Sequence, residues 1–193
     1  MLKREKEECM DPLDVRVMIG SLRKQSYNRK VFENSHDLIP ENMTLTEIPI
    51  WELPLYSQDI QESPTPAIER FWGSVREAEA ILFISPEYNY SVPGVLKNAI
   101  DWASRPPSSA PIVGKPGAIL GASSGRSGTM RMQLHLRAFL PCLNMAIMPK
   151  PEVFIMSAAD AIDEDGTLHD ERVRGQLLKF YVAFEQWVRK QRT

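Results

Sequence analysis

Three polar loops in this sequence carry the residue types that hold an anionic, planar ligand. The first, Ser21 to Asn28 (SLRKQSYN), places hydroxyl, amide and cationic side chains between an apolar segment and a polar one. Such side chains bind phosphate when they lie beside the N–H groups that begin a helix. The loop has neither G-x-G-x-x-G nor GK[ST], so it favours a mononucleotide phosphate over a dinucleotide or a nucleoside triphosphate. Helix capping by Ser26 or Asn28 is the alternative role.

The second loop, Pro86 to Gly94 (PEYNYSVPG), is rich in tyrosine and proline. Its prolines restrict the backbone, while Glu87, Tyr88 and Asn89 can present side chains and backbone amides to the edge of a planar ring. A helix is expected to begin near Pro93, where its N-terminus would favour negative charge on a reduced ring. An aromatic turn packed on the fold is the alternative interpretation.

The third loop, Ser123 to Thr129 (SSGRSGT), consists mainly of small and hydroxylated residues. Small residues let the backbone approach a ligand closely, and serine hydroxyls can bond to its polar edge. A flexible solvated connection is the alternative. The position of this loop after a predicted strand, like that of the other two, favours the ligand-binding interpretation.

Five apolar segments that alternate with segments of helical periodicity position these loops. The expected strands are residues 15–20, 43–48, 80–85, 117–122 and 145–155, the last interrupted by Pro149 and Pro151. The expected helices are 30–38, 66–79, 93–104, 130–143 and 168–190. This alternation predicts an α/β fold with an open, doubly wound parallel sheet of five strands. Ligands of such sheets bind outside the carboxyl ends of the strands, which is where all three loops begin.

Composition narrows the function classes. The 193 residues suit one domain, residues 15–193, behind a charged tail of residues 1–14. Lys and Arg total 23 against 25 Asp and Glu, and a net charge of -2 would not gather nucleic acid or an anionic membrane. No apolar run approaches the ~20 residues that span a bilayer, and no secretory signal is visible. The partner is therefore expected to be a small molecule or another protein.

The positions of the cysteines and histidines exclude further classes of protein and site. Cys9 and Cys142 are far apart, which argues against a disulfide framework or a thiolate zinc cluster and favours a cytoplasmic location. The histidines, His36, His135 and His169, lack the HExxH spacing, so no metal site is expected.

Two segments closely resemble a known family. SPEYNYSVPGVLKNAIDWASR, residues 85–105, is similar to the signature segment of the NADPH-dependent FMN reductases, and GSLRKQSYN, residues 20–28, to their phosphate loop. These flavodoxin-like enzymes include chromate-reducing and quinone-reducing flavoproteins. The resemblance implies a flavodoxin-like fold with helices on both faces of the sheet, non-covalently bound FMN, and NADPH or NADH as electron donor. It also implies a homodimer or homotetramer.

The resemblance assigns roles residue by residue. It places the FMN phosphate on the first loop, one border of the isoalloxazine ring on the second, and the other edge of the ring on the third. The cofactor-binding residues so implied are Ser21, Arg23, Ser26, Asn28, Pro86, Glu87, Tyr88, Asn89, Ser123, Ser124 and Gly125. Arg105 and Arg126 are candidate contacts for substrate or NAD(P)H, with a surface salt bridge as the alternative for each. No catalytic side chain is expected, because the flavin carries the chemistry.

The expected function is transfer of hydride from NAD(P)H to bound FMN and then of electrons to quinones or similar acceptors. Azo compounds and chromate are further candidate acceptors, and one shared space for donor and acceptor predicts ping-pong kinetics. Three alternatives stay open: supply of free reduced FMN to a partner, a flavodoxin-like electron carrier, and a binding or regulatory protein on the same fold. The near-neutral charge argues against the electron carrier, since flavodoxins are strongly acidic.

Overall fold

A computed structural model describes residues 11–192, in which one parallel sheet carries helices on both faces. Its strands are β1 (Leu13–Ile19), β2 (Met43–Glu47), β3 (Ala80–Ile84), β4 (Pro116–Ala122), β5 (Ala146–Ile147) and β6 (Val153–Ile155). Their order is β2-β1-β3-β4, followed at the β4 edge by both β5 and β6. The α-helices are α1 (Tyr27–Ser35), α2 (Gln58–Gln61), α3 (Pro66–Glu77), α4 (Gly94–Ala103), α5 (Met130–Phe139) and α6 (Glu171–Gln191).

Two apolar cores flank the sheet. Residues of α1 and α6 pack on one face, and residues of α3, α4 and α5 pack on the other. The central strand β3 (AILFI) is buried along its whole length because both of its faces are covered. The predicted flavodoxin-like α/β fold is therefore confirmed. Each strand of this parallel sheet ends at the same edge, so the loops after β1, β3 and β4 meet there.

The fifth predicted strand is divided in two. β5 pairs with Pro116 and Gly117 at the start of β4, and β6 pairs with the end of β4 from Leu120 onwards. The intervening residues 148–152 contain two prolines, which have no N–H to donate to a neighbouring strand. The interruption that the sequence predicted at Pro149 and Pro151 thus divides the fifth expected strand into two short strands, and both lie at its expected place beside β4.

Several elements begin elsewhere than expected. β1 starts at Leu13, whose side chain is buried, so the last residues of the predicted tail belong to the sheet; residues 1–10 of that tail lie outside the described residues. α1 starts at Tyr27 and not at residue 30, because Ser26 caps it. Between residues 11 and 192 no helix has both the length and the hydropathy needed to span a membrane.

A buried phenol joins the two helices on one face of the sheet. Tyr181 of α6 is fully buried, and its hydroxyl donates a hydrogen bond of 2.6 Å to the Oγ of Ser35. The Ser35 hydroxyl donates in turn to the carbonyl of Val31 in α1, also at 2.6 Å. Because burial penalises the phenolate, the pKa of Tyr181 is raised well above its ordinary value.

We expect this phenol to make the protein less stable as the pH rises above about 10. An unfolded tyrosine loses its proton near that pH, whereas folded Tyr181 keeps it, so each further pH unit favours unfolding by about 1.4 kcal/mol until the folded pKa is reached. Urea denaturation between about pH 9 and about pH 11 measures this loss. Tyr181→Phe will remove that part of the pH dependence, and Tyr90→Phe, at an exposed phenol, will retain it. Equal slopes in all three proteins would contradict the prediction.

Candidate functional site

The loops after β1, β3 and β4 line one cavity of about 310 Å³ at the carboxyl edge of the sheet. The lining residues are Ser21, Arg23, Ser26, Tyr27, Asn28, Pro86, Glu87, Tyr88, Ala122, Ser123 and Ser124. Every cofactor-binding residue expected from the sequence lines this cavity except Asn89 and Gly125, which lie exposed in the same loops. The structure thus brings together residues that are up to about a hundred positions apart in the chain.

The first loop ends in the N-terminus of α1. Ser26 is the N-cap, and its Oγ accepts a hydrogen bond of 3.4 Å from the backbone N–H of Arg29. The N–H groups of Tyr27 and Asn28 precede the first intrahelical hydrogen bonds of α1, and both residues line the cavity. Ser26 therefore caps the helix and also stands at the partial positive charge of its N-terminus.

Arg23 makes this end of the cavity cationic. Its guanidinium lies 5.2 Å from the centroid of the Tyr27 ring. Within residues 11–192 it has no carboxylate partner within ion-pair distance, and Glu87, the one acidic residue lining the cavity, is occupied elsewhere. An unpaired guanidinium beside a helix N-terminus and two serine hydroxyls is the donor set that suits a phosphate.

Asn28 braces the first loop against the third. Its side chain is 2% exposed and spans the backbone of Ala122: Nδ2 donates to the carbonyl at 2.9 Å, and Oδ1 accepts from the N–H at 2.9 Å. Sequence reasoning placed Asn28 among the phosphate ligands. The structure adds a positioning role that local sequence does not reveal, since Ala122 is 94 residues away.

The second loop contains a tight turn. Tyr88 and Ser91 exchange backbone hydrogen bonds of 3.1 and 2.9 Å, and the two residues between them, Asn89 and Tyr90, have φ values of 49° and 64°. Positive φ at both central residues is typical of a type I′ turn, where asparagine is common and tyrosine is disfavoured. The guanidinium of Arg131 lies 3.9 Å from the Tyr90 ring centroid, and this stacking helps to hold the turn.

Glu87 fixes the base of that loop to helix α5. Its side chain is 7% exposed, and Oε2 accepts hydrogen bonds from the backbone N–H groups of Arg131 (2.9 Å) and Met132 (3.1 Å). Oε1 accepts from Nη1 of Arg131 at 2.6 Å. The expectation that this side chain would face the ring edge was incomplete, because the carboxylate caps α5. Because α5 has no acidic residue in its own first turn, the carboxylate at its N-terminus comes from the second loop.

The third loop is tied to the chain that follows β6. The N–H of Ser123 donates to Ile155, and the Ser123 carbonyl accepts from Ala158, both at 3.0 Å. Gly125 accepts from Ser157 at 3.2 Å through its carbonyl, and its N–H donates to the Ser123 hydroxyl at 3.1 Å. These bonds favour a fixed cavity wall over the flexible connection that was the alternative.

Gly121 allows the strands under the cavity to approach closely. A Cβ at this position would lie 2.0 Å from the backbone oxygen of Ser85 and 2.8 Å from Oγ1 of Thr129. No side chain fits there, and glycine lets the ends of β3 and β4 support their loops side by side.

The two arginines predicted to contact substrate or NAD(P)H lie outside the cavity lining. Arg105 follows α4, and its guanidinium packs 5.6 Å from the ring centroid of Tyr56. Arg126 is exposed in the third loop. Sequence reasoning missed two lining residues, Tyr27 and Ala122; Tyr27 lies inside the predicted phosphate loop, whereas Ala122 enters through its backbone.

The cavity therefore has two chemically different parts. One part, on the first loop, offers a guanidinium, serine hydroxyls and helical N–H groups. The other is bordered by Pro86, Tyr88 and the backbone of residues 122–124. This arrangement suits a flat ring carrying a phosphorylated side chain.

Comparisons with known proteins find similar sequences and structures over most of the chain. The family model described as NADPH-dependent FMN reductase matches residues 13–160. The chain is 47% identical to an NAD(P)H-dependent FMN reductase of Pseudomonas aeruginosa over 94% of this chain and 98% of that protein. It is 42% identical to a quinone reductase of Pseudomonas putida over 92% and 96% of the two chains. The solved structure of FerB, a flavoenzyme NAD(P)H:(acceptor) oxidoreductase from Paracoccus denitrificans, aligns with a TM-score of 0.87 at 36% identity, covering 93% and 98%.

Proposed function

Because the chain belongs to the NADPH-dependent FMN reductase family, we propose that it is an FMN-dependent oxidoreductase that passes electrons from NAD(P)H to quinones. Membership of the family confirms the resemblance, the FMN cofactor and the NAD(P)H dependence expected from the sequence. The observation that carries the proposal is the cavity itself, where a cationic phosphate-binding part adjoins a part bordered by Pro86 and Tyr88. The name of the Pseudomonas putida relative supports a quinone as acceptor.

The residues of the cavity fit FMN. Ser21, Ser26 and Arg23, with the first N–H groups of α1, would hold its phosphate, and Asn28 would keep their loop in place. The segment from Pro86 to Asn89 and the third loop would border the ring. When bound, FMN supplies hydride and electron transfer, chemistry that amino-acid side chains do not provide.

The chain's own contribution is to bind and orient. No side-chain nucleophile is required, because bound FMN would supply the reacting atoms. Glu87 and Arg131 hold the second loop in one conformation, which fixes the wall against which a donor or acceptor would lie. A preformed wall reduces the ordering cost of each binding step.

An anaerobic titration tests the proposal. NADPH added to the FMN-loaded protein should bleach the flavin absorbance rapidly, and a quinone should restore it. Absence of bleaching with both NADPH and NADH, despite stoichiometric FMN, would overturn the enzyme and leave the electron carrier or binding protein. Retention of FMN on a desalting column after turnover separates the quinone reductase from a supplier of free reduced FMN.

The proposal includes a homodimer or homotetramer in the cytoplasm. Exposed apolar side chains on the second loop and on α5 support the assembly: Tyr88, Tyr90, Met130 and Leu134 are each about half exposed or more. Sedimentation velocity at micromolar concentration should show more than one chain per particle, and a monomer would contradict this part. Fractionation of cells tests the location.

A further inference from the structure

A second cavity adjoins the proposed FMN site on the first loop. It measures about 520 Å³ and is lined by Ser21, Leu22, Arg23, Lys24, Arg29 and Trp51, which together we call the Trp51 groove. Ser21 and Arg23 also line the FMN cavity, so the two cavities share a wall. A molecule that reached the FMN site could therefore extend into the groove.

The charged side chains that line the groove, Arg23, Lys24 and Arg29, are all basic, and Arg29 is held in place by an ion pair. Both guanidinium Nη atoms of Arg29 bond to the carboxylate of Glu47, at 2.8 and 2.6 Å, and this pair leaves Glu47 neutralised. Lys24 is exposed and, across residues 11–192, has no carboxylate within ion-pair distance. The nearby Glu52 is paired with Arg70 at 2.8 Å. The groove thus offers a free ammonium group and no free carboxylate.

An aromatic platform lies beside these cations. Trp51 is 51% exposed, and the guanidinium of Arg29 lies 5.9 Å from its ring centroid. Leu22, 58% exposed, adds further apolar surface to the same groove. A half-exposed indole held next to cations suits a ligand that combines a flat base with phosphates, because the base can stack while the phosphates pair.

We propose that the Trp51 groove binds the adenosine phosphate part of the electron donor. The adenine lies against the Trp51 indole, and Lys24 binds the 2′-phosphate that distinguishes NADPH from NADH. Arg23 remains with the FMN phosphate, so the two anions have separate cations. This inference rests on the proposed function, in that the donor is a pyridine dinucleotide, and it makes Lys24 the residue that recognises the 2′-phosphate of NADPH.

Direct binding tests the groove without any turnover. Adenosine 2′,5′-bisphosphate is titrated calorimetrically into protein saturated with FMN, so that the probe cannot occupy the FMN cavity. Lys24→Gln should raise the dissociation constant of the probe about tenfold, as loss of one charge-assisted hydrogen bond predicts. Trp51→Ala should raise it by a similar factor through lost stacking. Lys24 is exposed, so its substitution is not expected to impair folding.

Matched controls decide the outcome. Lys179→Gln, at an exposed lysine of α6, and Leu55→Ala, at an exposed apolar residue of the loop that carries Trp51, should leave probe binding unchanged. The inference would be overturned if Lys24→Gln and Trp51→Ala bound the probe within twofold of the affinity of the original protein. It would also be overturned if the two control variants weakened probe binding as much as these two test variants do. A groove covered by a second copy of the chain would give no probe binding at all and would also overturn it.

Steady-state kinetics give a second readout and separate the two proposals. Lys24→Gln should raise the KM for NADPH about tenfold and leave the KM for NADH nearly unchanged, so the ratio of the KM for NADPH to the KM for NADH rises about tenfold. If the flavin is bleached by NADPH but neither probe binding nor this ratio changes, the groove inference alone fails. If the flavin is not bleached, the proposed function fails, and the calorimetric titration still decides whether the groove binds an adenosine phosphate.

Discussion

Replacing Glu87 with alanine will lower the free energy of unfolding by about 2–4 kcal/mol, because two N–H groups at the start of α5 lose their acceptor, while the partly exposed Arg131 guanidinium can be solvated. The substitution removes the acceptor for two N–H groups at the start of α5 and for the guanidinium of Arg131. Urea denaturation of the apoprotein measures the loss. The same change should weaken FMN binding, since Glu87 is the base of the second loop.

Glu87→Gln is the matched variant. Its amide oxygen can still accept from the N–H groups of Arg131 and Met132, while the charge that attracts the guanidinium is lost. We expect a smaller cost, about 1–2 kcal/mol, for this change. If Glu87→Ala and Glu87→Gln destabilise the apoprotein equally, the capping of α5 contributes little. If neither variant alters FMN affinity, as measured by quenching of flavin fluorescence, the second loop does not border the cofactor.

Replacing Asn28 with alanine will separate the first loop from the third. The N–H and carbonyl of Ala122 both lose their side-chain partner in a buried place, for which we expect a loss of about 2–4 kcal/mol in the free energy of unfolding. Because the first loop carries the phosphate donors, the dissociation constant of FMN should rise about tenfold or more, the equivalent of at least one charge-assisted hydrogen bond.

The control for Asn28 is Asn42→Ala, at a half-buried asparagine just before β2. Asn42→Ala should leave FMN affinity unchanged and cost under about 1 kcal/mol in stability. A second test uses excess FMN at one fixed concentration, which stabilises the folded state by an amount that grows with the logarithm of its affinity. One outcome is that Asn28→Ala lowers the stability of the apoprotein while FMN raises the free energy of unfolding of the variant and of the original protein by the same amount. In that case the hydrogen bonds between Asn28 and Ala122 serve folding alone and not the cofactor.

Much of the fold follows from local patterns in the sequence. The apolar run of β3 indicates a strand covered on both faces, and its alternation with helical segments indicates a parallel sheet. Because parallel strands end at one edge, the polar loops that begin after Gly20, Ser85 and Ala122 had to meet there. Ser26 before α1 is likewise a local signal, since an N-cap acts on the N–H groups of the next three residues.

Tertiary structure alone decided the roles that depend on distant partners. Glu87 serves α5, 44 residues on, and Asn28 serves Ala122, 94 residues on, because folding places strand ends that are far apart in sequence next to each other. The Trp51 groove is another such case, since Lys24 and Trp51 come from loops after different strands. Residue type and periodicity specify what a segment forms and which face it buries. Residue type and periodicity do not specify which distant side chain forms hydrogen bonds with the buried polar groups of a segment. Those partners are determined by how the segments pack across the sheet.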